Sequence, residues 1–449
     1  MFKWTPFRSI ILVYIVIILI GALFILIPKS SYGISFIDAL YTSASAVCVT
    51  GLIVKDTAND FTIMGKAIIL ILIQIGGMGY MAFASLFMMI FGLRPATKQV
   101  MVVKEEFGLT SRDKIPQFLR LVVLTTFSFE LIGIILFYFG FKQTGIHTNE
   151  AIAHAVFQSV SAFCNAGFSS FSTNLSGFYK IPLVAWTAPF LFIMGGLGFI
   201  VLQEISERTL GRRVRISLHS RIVLISTLLL IVLGSLFIMG IEYGNKLSGE
   251  SLMHKITISF FTATTPRTAG FSVINISDLL PTTLFILMIF MFIGASPGGT
   301  GGGIKTTTFV IITSFIKSKL RGGKSINIRK RNISEEQVNK ALTLFFVSLI
   351  LVVTMVGILS YTERDIIKER GLLPVVFEEF SAFGTVGLSM GSNEKTALSL
   401  VYEFSSLGKL ILIITMIAGR VGPLTFAAMV MHGKITETLK YPPARIRIG

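Results

Sequence analysis

FIDALYTSASAVCVTGL, residues 36–52, decides the fold, because the chain repeats its grammar three more times. An amphipathic stretch rich in Ser, Ala and Phe leads into a short polar segment that ends in glycine and a bulky apolar residue. AVFQSVSAFCNAGF (155–168), ISFFTATTPRTAGF (258–271) and VVFEEFSAFGTVGL (375–388) follow the same plan. Their glycines, Gly51, Gly167, Gly270 and Gly387, recur at intervals of 116, 103 and 117 residues. Periodicity of this kind marks repeated structural units. Each stretch before the glycine is roughly ten residues, or roughly 15 Å as a helix. That is too short to cross a bilayer and suits a re-entrant helix.

The surrounding sequence supplies the bilayer. Of 449 residues, 53% are hydrophobic and 14% charged, against about 25% charged in a soluble domain. Eight segments near 10–28, 67–91, 119–138, 182–202, 222–241, 283–316, 341–361 and 409–431 are apolar enough to span. The first follows Lys3 and Arg8, is long for a signal peptide and has no small-x-small cleavage site after it, so it reads as an uncleaved span. Each glycine-ended stretch falls between an odd span and the next even one. The expected fold is an all-α membrane protein of four span–pore-loop–span repeats around a central pore. It has eight transmembrane helices and four re-entrant pore helices, with repeats at 1–93, 94–210, 211–332 and 333–449.

A formal charge of +17 would suggest nucleic acid in a soluble chain. Here the basic residues sit in short connections between apolar runs: Arg94 to Arg120, Arg208 to Arg221, Lys317 to Lys340, and the tail from Lys434 to Arg447. The positive-inside bias puts these connections and both termini in the cytoplasm of a multi-pass cell-membrane protein. The same connections are candidate contacts for anionic lipid or a partner. No basic face interleaved with stacking aromatics points to nucleic acid. Two cysteines, Cys48 and Cys164, and five scattered histidines give no metal-ligand spacing. No nucleophile or acid–base constellation suggests an enzyme.

Irregular backbone at membrane depth is tolerated only where it is buried in protein or lines water. Four such loops in one chain therefore argue for one pore. Rings of backbone carbonyls can replace the hydration shell of an alkali cation. Glycine lets a carbonyl turn inward without a side chain blocking the lumen, and a short helix ending there directs its partially negative C-terminus at the ion. The expected filter residues are Cys48, Val49, Thr50 and Gly51; Cys164, Asn165, Ala166 and Gly167; Arg267, Thr268, Ala269 and Gly270; and Gly384, Thr385, Val386 and Gly387. An alkali cation would sit at their carbonyls with no bound cofactor, and sodium is a candidate activator. Arg267 is expected to brace the loops, with Glu378 or Glu379 as its partner, and Glu130 to pack or to anchor a loop.

A second glycine pattern lies on the even spans: IQIGGMGY (73–80), FIMGGLGF (192–199), FIGASPGG (292–299) and IAGRVGP (417–423). Gly76–Gly77 and Gly195–Gly196 read as close helix packing. The third differs, because GASPGGTGGGIKTTT (294–308) holds six glycines and a proline within ten residues and cannot remain helical. It fails the P-loop pattern, since Ile304 separates Gly303 from Lys305, and it fails the dinucleotide pattern at Ile304. The expectation is an intramembrane loop below the filter that gates the pore through Gly298, Gly299, Thr300, Gly301, Gly302 and Gly303. Arg420 and Lys305 would hold its carbonyls or repel cations.

TPRTAGF, SAFGTVGL, GGGIKTT and AGRVGPLT, with the repeat plan over nearly the whole chain, resemble the Ktr/Trk/HKT superfamily of potassium transport proteins. With eight spans and no additional N-terminal hairpin, the chain is most similar to the Ktr branch, the membrane subunit of a bacterial system. The resemblance implies potassium over sodium selection at the four glycines. A Ser in place of the first glycine marks some sodium-conducting plant relatives, and Gly51 stands there here. It also implies a homodimer beneath which a ring of cytosolic nucleotide-binding regulatory subunits docks, with YPPARIRIG among the contact regions. The alternative function is a sodium-coupled or sodium-conducting secondary cation transporter.

Overall fold

The computed structural model describes residues 6–79, 115–211, 215–323, 325–395, 397–423 and 426. The second halves of the spans expected at 67–91 and 409–431 lie mostly outside them, as do most of the basic connection before Arg120, Arg212, Arg213, Lys324 and the C-terminal tail.

Among the described residues the regular structure is helical apart from one two-stranded hairpin. The first repeat contains α1 (Pro6–Leu26), α2 (Phe36–Val47) and α3 (Ile63–Met78). The second contains α4 (Ile115–Lys142), α5 (Thr148–Phe163), α6 (Pro182–Leu197) and α7 (Phe199–Thr209). The third contains α8 (Leu218–Glu242), α9 (Leu252–Thr264), α10 (Pro281–Phe292) and α11 (Thr306–Leu320), followed by β1 (Asn327–Ile328) and β2 (Arg331–Asn332). The fourth contains α12 (Glu335–Thr362), α13 (Arg364–Arg370), α14 (Leu372–Gly384) and α15 (Ser406–Val421). Capping chemistry starts these helices. Ser35, Thr62, Ser217, Ser251, Ser334 and Ser405 each accept a hydrogen bond from a backbone N–H in the first turn. Pro182 and Pro281 open α6 and α10, where no N–H is missed.

Among the described residues, three helices are individually long and apolar enough to span: Gln117–Lys142, Leu218–Glu242 and Glu335–Thr362. Their outward positions carry Leu124, Leu131, Leu228, Leu236, Ile350 and Val353, each more than half exposed. Such a surface would be costly in water and is at home in hydrocarbon. The span expected at 182–202 is not one straight helix, for α6 and α7 meet at 103° across Gly198. The break expected in the sixth apolar segment lies where its composition put it, between Phe292 and Thr306.

The packing order closes on itself. Each short helix, α2, α5, α9 and α14, lies against the odd span of its own repeat. Each even span then packs on the short helix of the next repeat: α3 on α5, α6 on α9, α10 on α14 and α15 on α2. The seam between last and first repeats has its own ties. Lys409 Nζ pairs with Asp38 Oδ1 at 2.8 Å. Ser399 exchanges bonds with Ile53, its N–H donating to the Ile53 carbonyl at 3.1 Å and its hydroxyl accepting from Ile53 N at 3.0 Å.

Candidate functional site

The four short helices aim their C-termini at one place, each concentrating partial negative charge there. In repeats one, two and four the chain leaves its helix by the same turn, with Thr50, Ala166 and Val386 N donating to the carbonyls of Ser45, Ser161 and Ser381 at 2.8 Å. Repeat three uses a turn one residue tighter, Ala269 N to Thr265 O at 2.9 Å, after Pro266. Hydroxyls then fix the tips. Ser45 and Ser381 accept from Gly51 and Gly387 N at 3.0 Å, and Ser161 and Thr265 donate to the carbonyls of Phe168 and Phe271 at 2.6 Å.

Beyond each turn the backbone repeats a two-point pattern. Val49, Asn165, Thr268 and Thr385 have φ of 56°, 61°, 70° and 49°, and the glycines two residues later have φ of 92°, 69°, 73° and 90°. Positive φ costs glycine nothing but is unfavourable for β-branched Val49, Thr268 and Thr385. Strain of this kind, repeated at equivalent positions, persists because the surrounding packing holds it. Asn165 lies 3.1 Å from the Thr268 hydroxyl and ties the second tip to the third.

The four glycines form a closed ring. A methyl group on Gly51 would come within 2.7 Å of Gly167 Cα; one on Gly167, within 3.1 Å of Gly270 Cα; one on Gly270, within 3.2 Å of Gly387 Cα; and one on Gly387, within 3.0 Å of Gly51 Cα. Methyls on Gly51, Gly270 and Gly387 would also strike the carbonyl oxygens of Ala166, Val386 and Thr50, and one on Gly167 would press on Ala269 O at 3.3 Å. No other residue fits any of the four positions without moving backbone. Residues at and after the glycines line a vestibule of about 350 Å³, with Ile53, Ser169, Ser272 and Leu388 in its wall.

The glycine-rich segment lies against the residues before the glycines. Cβ atoms on Gly301 and Gly302 would meet Thr268 Oγ1 and Thr385 Oγ1, and Gly302 N donates to Thr385 Oγ1 at 3.0 Å. The second repeat holds the segment's other side. Ser296 N and Thr300 N donate to the carbonyls of Gly196 and Gly195 at 3.1 and 3.2 Å, and Phe199 N donates to Gly298 O at 3.0 Å. Gly299 leaves no room for a side chain over those same carbonyls. Lys305 Nζ reaches Gly301 O at 2.6 Å. Arg420 donates from one nitrogen to Thr300 O and from another to Gly76 O. The structure thus brings Arg420, Lys305 and the segment together.

Two sequence expectations require correction. Arg267 is buried, its Nε has no hydrogen-bond partner, and it forms no ion pair among the described residues. Glu378 accepts from Val401 N at 3.2 Å instead. Helix geometry explains this, because Glu378 points back over its own exit loop and not across to the neighbouring repeat. Nor are the glycine pairs of the even spans packing alone. Gly76, Gly195 and Gly419 let their spans press against the carbonyls that end the short helices, at Val47, Phe163 and Phe383. Three residues further on, Gly79, Gly198 and Gly422 take φ of 82°, 94° and 103° and end the helix. This G-x-x-G spacing is visible in the sequence and was the available signal. Glu130 packs against α5, its backbone carbonyl accepting from Ser159 Oγ at 2.6 Å and its Oε1 lying 3.9 Å from Cys164 Sγ.

The family model of cation transport proteins named TrkH matches residues 5–435. The chain belongs to the TrkH family. Ktr system potassium uptake protein B of Bacillus subtilis is 36% identical over 452 residues, covering 100% of this chain and 97% of that one. Its namesake from Vibrio alginolyticus is 34% identical, covering 98% and 94%. The potassium/sodium uptake protein NtpJ of Enterococcus hirae is also 34% identical, covering 100% and 98%. The crystal structure of the potassium transporter TrkH from Vibrio parahaemolyticus shares the fold, with a TM-score of 0.73 at 18% identity over 96% of this chain and 86% of that one. TrkH-family proteins are membrane cation transporters and not enzymes, and this chain is accordingly a multi-pass membrane protein.

Proposed function

We propose that the chain is the ion-translocating subunit of a potassium uptake system of the bacterial cell membrane. The observation that carries this reading is the closed ring of Gly51, Gly167, Gly270 and Gly387, interleaved with the carbonyls of Thr50, Ala166, Ala269 and Val386. Four helix C-termini and a ring of peptide oxygens suit a cation that has shed its water. The first two relatives named above are potassium uptake proteins by name, which supports potassium as the cargo. The glycine-rich segment between Phe292 and Thr306 acts as the gate, held closed by Arg420 and Lys305 on its carbonyls. Both termini face the cytoplasm. The working unit is a homodimer with a cytosolic nucleotide-binding ring beneath it.

A second reading, sodium-coupled or sodium-conducting transport, is favoured by the name of the Enterococcus hirae relative. Rubidium uptake into proteoliposomes separates the two. Passive selective permeation predicts uptake driven by the potassium gradient alone, competed by potassium and not by sodium. Uptake that requires an inward sodium gradient would support the second reading and overturn the first.

A further inference from the structure

Between them, α8 and α11 leave an apolar groove of about 290 Å³. Ile222, Leu229 and Leu230 form one wall and Phe309 and Val310 the other, and the hairpin β1–β2 closes one end through Ile328 and Arg329. From Ile222 to Leu230 the groove runs about 12 Å along α8. It lies along the half of α8 that follows Ser217 and the first half of α11, and the hairpin at its end carries basic residues of the connection that follows α11.

The hairpin that closes it is strained. Ile328 pairs with Arg331 and Asn327 with Asn332, leaving a two-residue turn at Arg329 and Lys330. Both have positive φ, 49° and 62°. A turn of this type strongly prefers Asn-Gly, because each central residue must be left-handed and a Cβ resists that. Here two long cationic side chains occupy both positions, and Arg331 follows. All three are exposed and none forms an ion pair among the described residues. Local conformational cost at an exposed turn points to what the side chains contact. An apolar slot at inner-leaflet depth, capped by unpaired cations at the water boundary, matches the two halves of one molecule: an acyl chain and an anionic headgroup.

We propose that the groove between α8 and α11 binds an anionic phospholipid, its acyl chain between the helices and its phosphate on Arg329 and Lys330. α11 continues from Lys305, so the occupant rests on the helix that carries one end of the glycine-rich segment.

Native mass spectrometry of the full chain, delipidated in detergent, provides the test. Phosphatidylglycerol and phosphatidylcholine with identical acyl chains are titrated, and bound lipid and oligomeric mass are read together. Two basic side chains beside one headgroup should favour phosphatidylglycerol about tenfold. Replacing Arg329→Asn with Lys330→Gly relaxes the turn and should preserve or raise thermal stability while reducing that preference to about twofold or less. Leu229→Trp fills the groove and should weaken both lipids. Equal binding of the two lipids by the unaltered chain would overturn the proposal. So would undiminished phosphatidylglycerol preference in the relaxed turn, or a change in oligomeric mass with lipid binding intact, which would assign the face to a second copy of the chain.

Discussion

Gly51→Ser lowers the preference for potassium over sodium by about tenfold or more in rubidium–sodium competition uptake. Gly51 has φ of 92°, which a serine adopts only under strain. Its Cβ would also collide with the Ala166 carbonyl and approach Gly167 Cα within 2.7 Å. Neither neighbour is the free end of a flexible side chain, so backbone must move. The ring has one oxygen per repeat at this level, and shifting one changes both the size and the field of the cage. A difference of about 1.4 kcal/mol between the two ions is a tenfold change in preference, and a single altered carbonyl contact is of that size. Gly270→Ser should act in the same direction, because its Cβ would meet Val386 O and Gly167 Cα. Ser272→Ala lies in the vestibule wall and should leave selectivity within about twofold, since a surface change of that kind alters free energies by only about 0.5 kcal/mol. Unchanged selectivity in Gly51→Ser at normal expression would remove the ring from the selection step.

Arg420→Ala raises basal rubidium uptake by the chain alone about tenfold. Its guanidinium donates to Thr300 O in the glycine-rich segment and to Gly76 O at the end of α3, and so joins the segment to two other repeats. A hydrogen bond from a charged donor contributes about 1.5–3 kcal/mol. Loss of one such bond from the closed state alone moves the closed-to-open ratio about tenfold or more. The cation also raises the electrostatic barrier to a permeating ion, and removing it acts in the same direction. Deleting residues 298–302 should exceed the point substitution, because Gly301 and Gly302, which lie against Thr268 and Thr385, then go too. Lys305→Gln, which loses one charged contact to Gly301 O, should fall between them and the unaltered chain. Basal uptake that stays level in Arg420→Ala and in the deletion would show that this segment does not limit flux.

The tips and the break were readable because each depends on composition at a fixed spacing. Gly51, Gly167, Gly270 and Gly387 stand out for their neighbours as much as for themselves, and residues 294–303, with six glycines and a proline, cannot hold a regular helix. What surrounds them was less accessible. Val49, Thr268 and Thr385 are residues whose local preference is extended backbone, and tertiary packing overrides it at equivalent positions. The bend at Gly198 escapes a hydropathy window, which records how apolar a stretch is and not its direction. The glycine-rich segment docks on Gly195 and Gly196, about a hundred residues earlier in the chain, and no local pattern encodes that pairing. Arg267 shows the reverse error: charge complementarity with Glu378 is a sound expectation between exposed groups, but helix direction sends that carboxylate to Val401 instead.

The most direct measurement is an anomalous-scattering map of the chain crystallised with rubidium or thallium. A peak on the axis enclosed by Thr50, Ala166, Ala269 and Val386, bonded to their carbonyl oxygens and displaced by potassium, is the predicted result. Ordered density for all four glycine tips with no ion between them, and the heavy cation bound to side-chain carboxylates elsewhere, would contradict it.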